Sequence, residues 1–158
     1  MTPTVTLELR PAVDTDAQFL RRVYAATRDE LALLDWSDDQ KLAFLEMQFC
    51  AQDRHYHGHY PAAEYQVVLV AGAPAGRLYV DRTPDRILVL DIALLPEHRG
   101  TGVGTALLTG ILDEARRTGL PVVLSVETSN PAVGLYQRLG FRPTGPGAGL
   151  YQEMTWSA

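Results

Sequence analysis

Apolar and polar residues alternate from Val5 to Arg10, with Val5, Leu7 and Leu9 set against Thr6, Glu8 and Arg10, and Pro11 ends the run. A period of two turns one face of an extended segment inward, so a half-buried strand is predicted there. The period then lengthens. Thr15 and Gln18 have capping-box spacing, and a helix is predicted from about Asp16 to Ala26 with Phe19, Leu20, Val23 and Tyr24 on its buried stripe. Ser37 and Gln40 repeat that start signal, and Leu42, Leu45 and Phe49 recur at helical spacing to about Asp53. The short apolar connection Leu31 to Trp36 joins the two helices. Two β-rich runs follow, Glu64 to Val70 and Gly76 to Asp81, around a hairpin connection at Ala71 to Ala75. Thr83-Pro84-Asp85 then turns the chain into Ile87 to Leu95, an apolar run broken only by Asp91. Three sequential strands on short loops are expected to be antiparallel neighbours.

Beyond Pro96 a glycine-studded turn, Arg99-Gly100-Thr101-Gly102-Val103-Gly104, opens an apolar-periodic helix that closes near Arg116-Arg117-Thr118-Gly119. Arginines at the negative end and a terminal glycine are the usual stop signals. Val122 to Val126 returns as a strand, and a strand, crossover helix, strand unit makes that pair parallel. Asn130 is placed to cap a short helix with Pro131 at its first position, Gly140-Phe141 closes it, Pro143 to Gly149 is a loop, and Leu150 to Trp156 is the last strand. The fold class is α/β. No internal repeat or linker is visible, and residues 1–158 read as a single domain.

Length supports that reading, since a chain of this size buries roughly 68–70% of its unfolded surface without a staple. The net charge of −5, with no clustered arginines, argues against nucleic acid or an anionic membrane as partner. The one cysteine, Cys50, reads as core filling. No signal peptide or long apolar run is visible, so a cytoplasmic location is expected. His55, His57 and His59 crowd five residues, but Gly58 and Pro61 place them where a helix is ending, and no Cys or second ligand pair completes a tetrahedral set. Histidines near a helix C-terminus are favoured by its dipole, and no metal is expected.

The turn carries the chemistry. A strand feeding a helix through glycines leaves consecutive N–H groups unpartnered where the helix dipole is positive, and a phosphate is the natural occupant. A P-loop needs Gly-Lys-[Ser/Thr], but Lys41 is the chain's only lysine. A dinucleotide fingerprint counted from Gly100 or Gly102 finds Thr105 or Leu107 in its third place. Taken with the preceding strand and the later Asn130-Pro131-Ala132, Tyr136 and Gly140-Phe141, the pattern resembles the GNAT acyltransferase superfamily.

That resemblance implies a mixed central sheet of about six to seven strands flanked by about four helices and splayed between the fourth and fifth strands. It also implies acetyl-coenzyme A as co-substrate. The pyrophosphate would lie on Arg99, Gly100, Thr101, Gly102, Val103, Gly104 and Thr105, the pantetheine arm beside Ile92, Ala93, Leu94 and Leu95, and Asn130 would also touch the cofactor. Asn130 is equally explained as a helix cap, and Arg99 as a partner for Glu97. Main-chain N–H groups near Ala93 and Leu94, where such a strand usually bulges, would stabilise the oxyanion, and Tyr136 would protonate the leaving thiolate.

The proton acceptor expected for the incoming amine is Asp91, with Glu127 and Glu64 as competitors and a water relay equally allowed. A carboxylate satisfied by backbone or an arginine is the other account of Asp91. The expected reaction is transfer of acetyl to a primary amine of a small molecule or peptide by direct attack in a ternary complex. A non-catalytic acyl-coenzyme A sensor and a transferase using another acyl group are the alternatives. The acceptor side would draw on Leu31 to Trp36, the His55 to Tyr60 stretch and the Pro143 to Gly149 loop. A homodimer is an expectation from the resemblance alone.

Overall fold

The computed structural model describes residues 6–145 and 149–158; Val5 and residues 146–148 of the expected loop lie outside them. The elements in chain order are β1 (Leu7–Pro11), α1 (Ala17–Ala25), α2 (Asp38–His59), β2 (Glu64–Val70), β3 (Ala73–Arg82), β4 (Ile87–Leu94), α3 (Val103–Thr118), β5 (Val122–Glu127), α4 (Ala132–Leu139), β6 (Arg142–Pro143) and β7 (Tyr151–Trp156). Short 3-10 turns occupy Asp14–Asp16, Asp29–Leu33 and Pro96–His98. The strands form one mixed sheet in the order β1-β2-β3-β4-β5-β7-β6. By contacts the chain divides into two compact units, Met1–Tyr79 with Asp91–Arg99, and Val80–Leu90 with Gly100–Ala158.

In the first unit β1 pairs antiparallel with β2, from Leu7 opposite Val70 to Pro11 opposite Gln66. Ala71 (φ 50°) and Gly72 (φ 82°) form a two-residue turn between β2 and β3. Positive φ at both positions matches the strands' twist, so pairing resumes at Ala73, and Ala73 to Ala75 belong to the strand and not to the hairpin connection. Leu20 and Tyr24 of α1 pack with Phe49 of α2 and Val67 of β2, while Val23 packs with Ala93 and Leu95.

The two helix starts differ. Before α2 the expected box is closed: Ser37 Oγ accepts from Gln40 N at 3.1 Å, and Gln40 Oε1 accepts from Ser37 N at 2.9 Å. Before α1 the Thr15–Gln18 box does not form. Asp16 takes over, its carboxylate accepting two bonds from the Arg10 guanidinium at 2.8 Å and one from Val13 N at 2.8 Å. A two-pronged, charge-assisted pair outweighs a neutral hydroxyl cap.

Helix α2 departs from expectation at both ends. Leu42 is 65% exposed, so the buried stripe starts at Leu45 and Phe49 and continues through Gln52 and Tyr56. The helix also runs past Asp53 to His59, carried by Tyr56 on that stripe, and Tyr60 N closes on Tyr56 O at 2.7 Å. Trp36 meets Phe44 edge-on at 5.3 Å, about a turn beyond the usual staple partner.

In the second unit Ile87 to Val89 pair in parallel with Val122 to Leu124, a three-residue ladder in strands that both continue beyond it. β5 and β7 pair antiparallel over six residues, from Val122 opposite Trp156 to Glu127 opposite Tyr151. The strand β6, which the sequence pattern did not show, adds only Arg142 and Pro143 at the sheet's edge, where proline's missing N–H costs no ladder bond. α3 buries Val103, Leu107, Leu108, Ile111, Leu112 and Ala115, spaced three and four apart, and ends at left-handed Gly119. Asn130 caps α4 as expected, its Oδ1 accepting from Ala132 N at 2.9 Å.

The hydrogen bonds from Arg10 and then Val13 hold the Asp16 carboxyl at about 2, below the ordinary carboxylate value. A carboxyl depressed on folding stabilises the protein above its unfolded value, and that stability is lost as pH falls through the folded one. Stability should therefore decline between about pH 5 and pH 2, and Asp16→Asn should remove about 1–2 kcal/mol at neutral pH and flatten that part of the profile. Urea unfolding across the range measures it; an unchanged acid profile in the variant would refute the assignment.

Candidate active site

The route from β4 to α3 is set by where backbone groups find partners. Leu95 N donates to Ala75 O at 2.8 Å, His98 N turns back to Leu95 O at 2.9 Å, and the chain reaches Arg99 in an extended conformation. Arg99 Nε donates to Leu94 O at 3.1 Å and its terminal nitrogen to Ala26 O at 2.9 Å, so the guanidinium ties the strand's end to the end of α1. Glu97 pairs with Arg22 at 3.4 Å, and Arg99 is not needed to neutralise it.

Gly100 (φ 69°) and Gly102 (φ 89°) then take left-handed conformations, the second as N-cap of α3. A Cβ on either would meet nothing within 4 Å, so φ and not space requires glycine there. No side chain caps this helix and no acidic residue lies in its first turn. Ala106 N is bonded to Gly102 O at 3.0 Å, so the N–H groups of Val103, Gly104 and Thr105 precede the first helical bond and have no acceptor within the helix. Sixteen residues of helix dipole add positive potential at the same point. Such an end is built to receive an anion.

The other expected residues are divided between the two units. Asp91 to Leu95 and Arg99 lie in the first unit; Gly100 to Thr105, Asn130 and Tyr136 lie in the second. Tyr136 is buried, its ring edge-on to Phe141 at 5.8 Å. Glu127 accepts from the Tyr151 hydroxyl at 3.1 Å, and Glu64 is exposed.

Strand β4 carries an irregularity between Arg86 and Leu95. Thr83 N bonds to Arg86 O, and Leu95 N bonds to Ala75 O. From Thr83 back to Ala75 is eight steps along β3 (83 − 75), but from Arg86 on to Leu95 is nine along β4 (95 − 86), so β4 carries one extra residue, as a bulged strand does. Gly76 admits the close approach that follows. A Cβ on it would stand 2.2 Å from Ala93 O and 3.0 Å from Leu94 Cα.

The feature that the sequence reading missed surrounds Asp91. Arg77, on β3, is 2% exposed. One terminal nitrogen donates to Asp91 Oδ2 at 2.5 Å and to Gln52 Oε1 at 2.8 Å, and its guanidinium carbon stands 5.0 Å from the centre of the Tyr79 ring and 5.9 Å from that of Tyr24. The Tyr56 hydroxyl also donates to Asp91 Oδ2, at 3.4 Å. Both contacts fall on Oδ2, leaving Oδ1 without a partner among the described residues. Asp91 is thus satisfied by an arginine, the second account weighed for it.

Burial would lower the Arg77 value, but attraction to Asp91 outweighs it and the guanidinium is pushed up. Burial, reinforced by Asp91, drives the Tyr56 phenol well above its ordinary range, and burial with the neighbouring carboxylates pushes Tyr79 to about 12 against the opposing pull of Arg77. Both phenols keep their protons at any physiological pH. Two signals pointed here: Gln52 and Tyr56 continue the Leu45–Phe49 helical stripe, and Arg77 interrupts a strand buried from Ala75 to Asp81.

The histidines form ring contacts. His57 stacks on Tyr65 at 4.0 Å and faces Asp53 at 3.4 Å, and His55 lies 4.2 Å from His59. Among the described residues no group of three or more His, Cys, Asp or Glu could hold a metal ion. No helix there is long and apolar enough to cross a membrane.

Residues 19–141 match the family model described as Acetyltransferase (GNAT) family. The chain belongs to the GNAT acetyltransferase family. It is 34% identical over 129 residues, 73% of this chain and 79% of the relative, to the N-alpha-acetyltransferase RimI of Mycobacterium tuberculosis. A Bacillus subtilis protein named as a ribosomal protein bS18-alanine N-acetyltransferase is 31% identical over 109 residues, 65% of this chain and 70% of the relative. Among solved structures, the PaiA N-acetyltransferase of Thermoplasma acidophilum in complex with coenzyme A superposes with a TM-score of 0.71 at 14% identity, covering 97% of this chain and 99% of that one. The fold is that of the family, and the chain is an N-acetyltransferase by membership.

The glycine at position 76 tests the described strand geometry. Gly76→Ala forces a methyl against a backbone oxygen that cannot rotate away, and should lower stability by about 3 kcal/mol, or roughly 6–12 °C in thermal midpoint. A midpoint within a degree of the parent would refute the close approach at Ala93.

Proposed function

We propose that this N-acetyltransferase takes its acetyl group from acetyl-coenzyme A and delivers it to a primary amine, with the α-amine at the start of a peptide or protein as the preferred acceptor. The observation that carries the donor is the uncapped start of α3: two left-handed glycines, three N–H groups with no helical acceptor, and no acidic residue in the first turn. The relatives named for N-alpha and alanine acetylation support the acceptor. The Val103, Gly104 and Thr105 N–H groups fit a pyrophosphate as donors, with Gly100, Thr101, Gly102 and the helix dipole shaping their approach. Arg99, two of whose nitrogens are committed to carbonyls, acts there mainly by holding the turn. Ile92, Ala93, Leu94, Leu95 and Asn130 complete the cofactor set. When bound, acetyl-coenzyme A supplies an acetyl already activated as a thioester.

The chain's own groups then move protons and hold geometry. The amine's lone pair attacks the carbonyl carbon, a C–N bond forms and the C–S bond breaks. Asp91 Oδ1 takes the proton that the amine gives up, directly or through one water, and the Tyr136 hydroxyl gives a proton to the leaving sulfur. Backbone N–H groups of β4 near Ala93 and Leu94 face the developing oxyanion. Because amine and thioester react while both are bound, proximity supplies much of the rate and no acyl-enzyme is needed.

Acetyl-coenzyme A at about 100 times Kd should stabilise the folded state by about 2.7 kcal/mol and raise the thermal midpoint by roughly 5–10 °C, with NAD giving no rise. Gly104→Asp places a carboxylate where the dipole tolerates it but a pyrophosphate does not, so the variant should fold and lose at least about tenfold in affinity, or 1.4 kcal/mol. No rise, or an unaltered variant, would remove the donor assignment. Turnover with a peptide bearing a free α-amine, absent when that amine is blocked, would establish the acceptor; turnover only with small amines would displace it.

Tyr136→Phe should lower kcat by about a hundredfold or more while leaving acetyl-coenzyme A affinity nearly unchanged, since only the proton donor is lost. Steady-state kinetics beside a binding titration reads both. Parental kcat would return Tyr136 to packing against Phe141.

A further inference from the structure

A buried ion pair is a poor way to stabilise a fold, because the desolvation of two charges offsets their attraction and well-packed apolar residues often do better. The first unit nonetheless buries Arg77 with one guanidinium hydrogen-bonding group, Nε, left without an acceptor among the described residues. What the arrangement achieves is position. Three elements meet on one guanidinium: Gln52 from α2, Tyr79 beside it on β3 and Asp91 from β4. A planar, buried group lying over the Tyr24 and Tyr79 rings has little room to swing, and its terminal nitrogen meets a single oxygen of the carboxylate. Tyr56, one turn along α2 from Gln52, reaches the same oxygen. The carboxylate is therefore fixed at Oδ2 by two donors and presents Oδ1.

We infer that Arg77 is the positioning residue of the acceptor chemistry: it clamps Asp91 by Oδ2 so that Oδ1 is oriented to receive the amine's proton. The inference rests on the reading of Asp91 as that proton's acceptor. Arg77 itself touches neither substrate. Its loss would leave the donor side intact, and a carboxylate displaced by about an ångström costs about a hundredfold in rate.

Arg77→Ala should therefore lose about a hundredfold in kcat with KM for acetyl-coenzyme A within about twofold and the acetyl-coenzyme A-induced rise in midpoint retained. Millimolar methylguanidinium, which matches the excised group in charge and shape, should restore at least about tenfold of the lost kcat, whereas urea, planar but neutral, should restore none. Parental kcat in Arg77→Ala, or equal rescue by urea, would overturn the inference. Should that variant fail to fold, Arg77→Lys keeps the cation without the fork and should fall between wild type and complete loss; wild-type kcat in Arg77→Lys would equally overturn it. Asp91→Asn separates the two claims. If it turns over like the parent, the proton-acceptor reading fails; if it is crippled while the Arg77 variants are not, only the positioning inference fails.

Discussion

A guanidinium that is 2% exposed cannot stand without a counter-charge, and this requirement organises the first unit. Arg77 draws Asp91 of β4 and Gln52 of α2 to one nitrogen, and its guanidinium lies over the rings of Tyr24 of α1 and Tyr79 of β3. α2 keeps its course to His59 because Gln52 and Tyr56 are engaged there, despite a glycine at position 58 that would otherwise favour an earlier end. The same cluster explains why an apolar strand tolerates Asp91 at its centre. The local inconsistency in β4 is matched by an equal one in β3, and each makes the other affordable.

The second unit follows a different rule. At the start of α3 glycines at positive φ aim the backbone, and on the proposed reading its N–H groups are the recognition elements. Donor recognition of that kind would work in a chain of net charge −5, because the field would be made by a helix end and not by basic side chains. Arg99 illustrates the division. Its nitrogens are spent on Leu94 O and Ala26 O, so it contributes to the turn as a strut.

That division also decides what could be read from the sequence. Backbone-made sites need glycine at fixed positions, so Gly100, Gly102, Asn130 and the strand-turn-helix order were legible, and with them the sheet and its parallel pair. The capping box at Ser37 was legible for the same reason, being local. The Arg77 cluster was not, because its members come from four elements and their meeting depends on the register of the strands and the placing of the helices beside them, which no local pattern reports. The failed box at Thr15 has the same origin, since the competitor that won, Asp16, gained its advantage from Arg10 across a turn. The misplaced Leu42 shows the limit of periodicity: a stripe's spacing fixes its angle on the helix but not how far the neighbouring element extends beside it.

The proposed seat of the amine at Asp91 illustrates why the charge of a whole molecule is a weak guide to its substrate. A chain of net charge −5 would by that measure favour polycations, yet at Asp91 the negative charge is already matched by Arg77 at 2.5 Å. On the proposed reading, an amine that reaches Asp91 meets a carboxylate already paired with a cation, where a diffuse positive charge would gain little and the geometry of a single oxygen would matter most. Selection there would be by shape and by the seat of the nitrogen, which suits one α-amine at the end of an extended chain better than a flexible polyamine that could present several. Recognition would then fall to the surfaces that hold the rest of the acceptor, with the Arg77–Asp91 pair acting on the nitrogen alone.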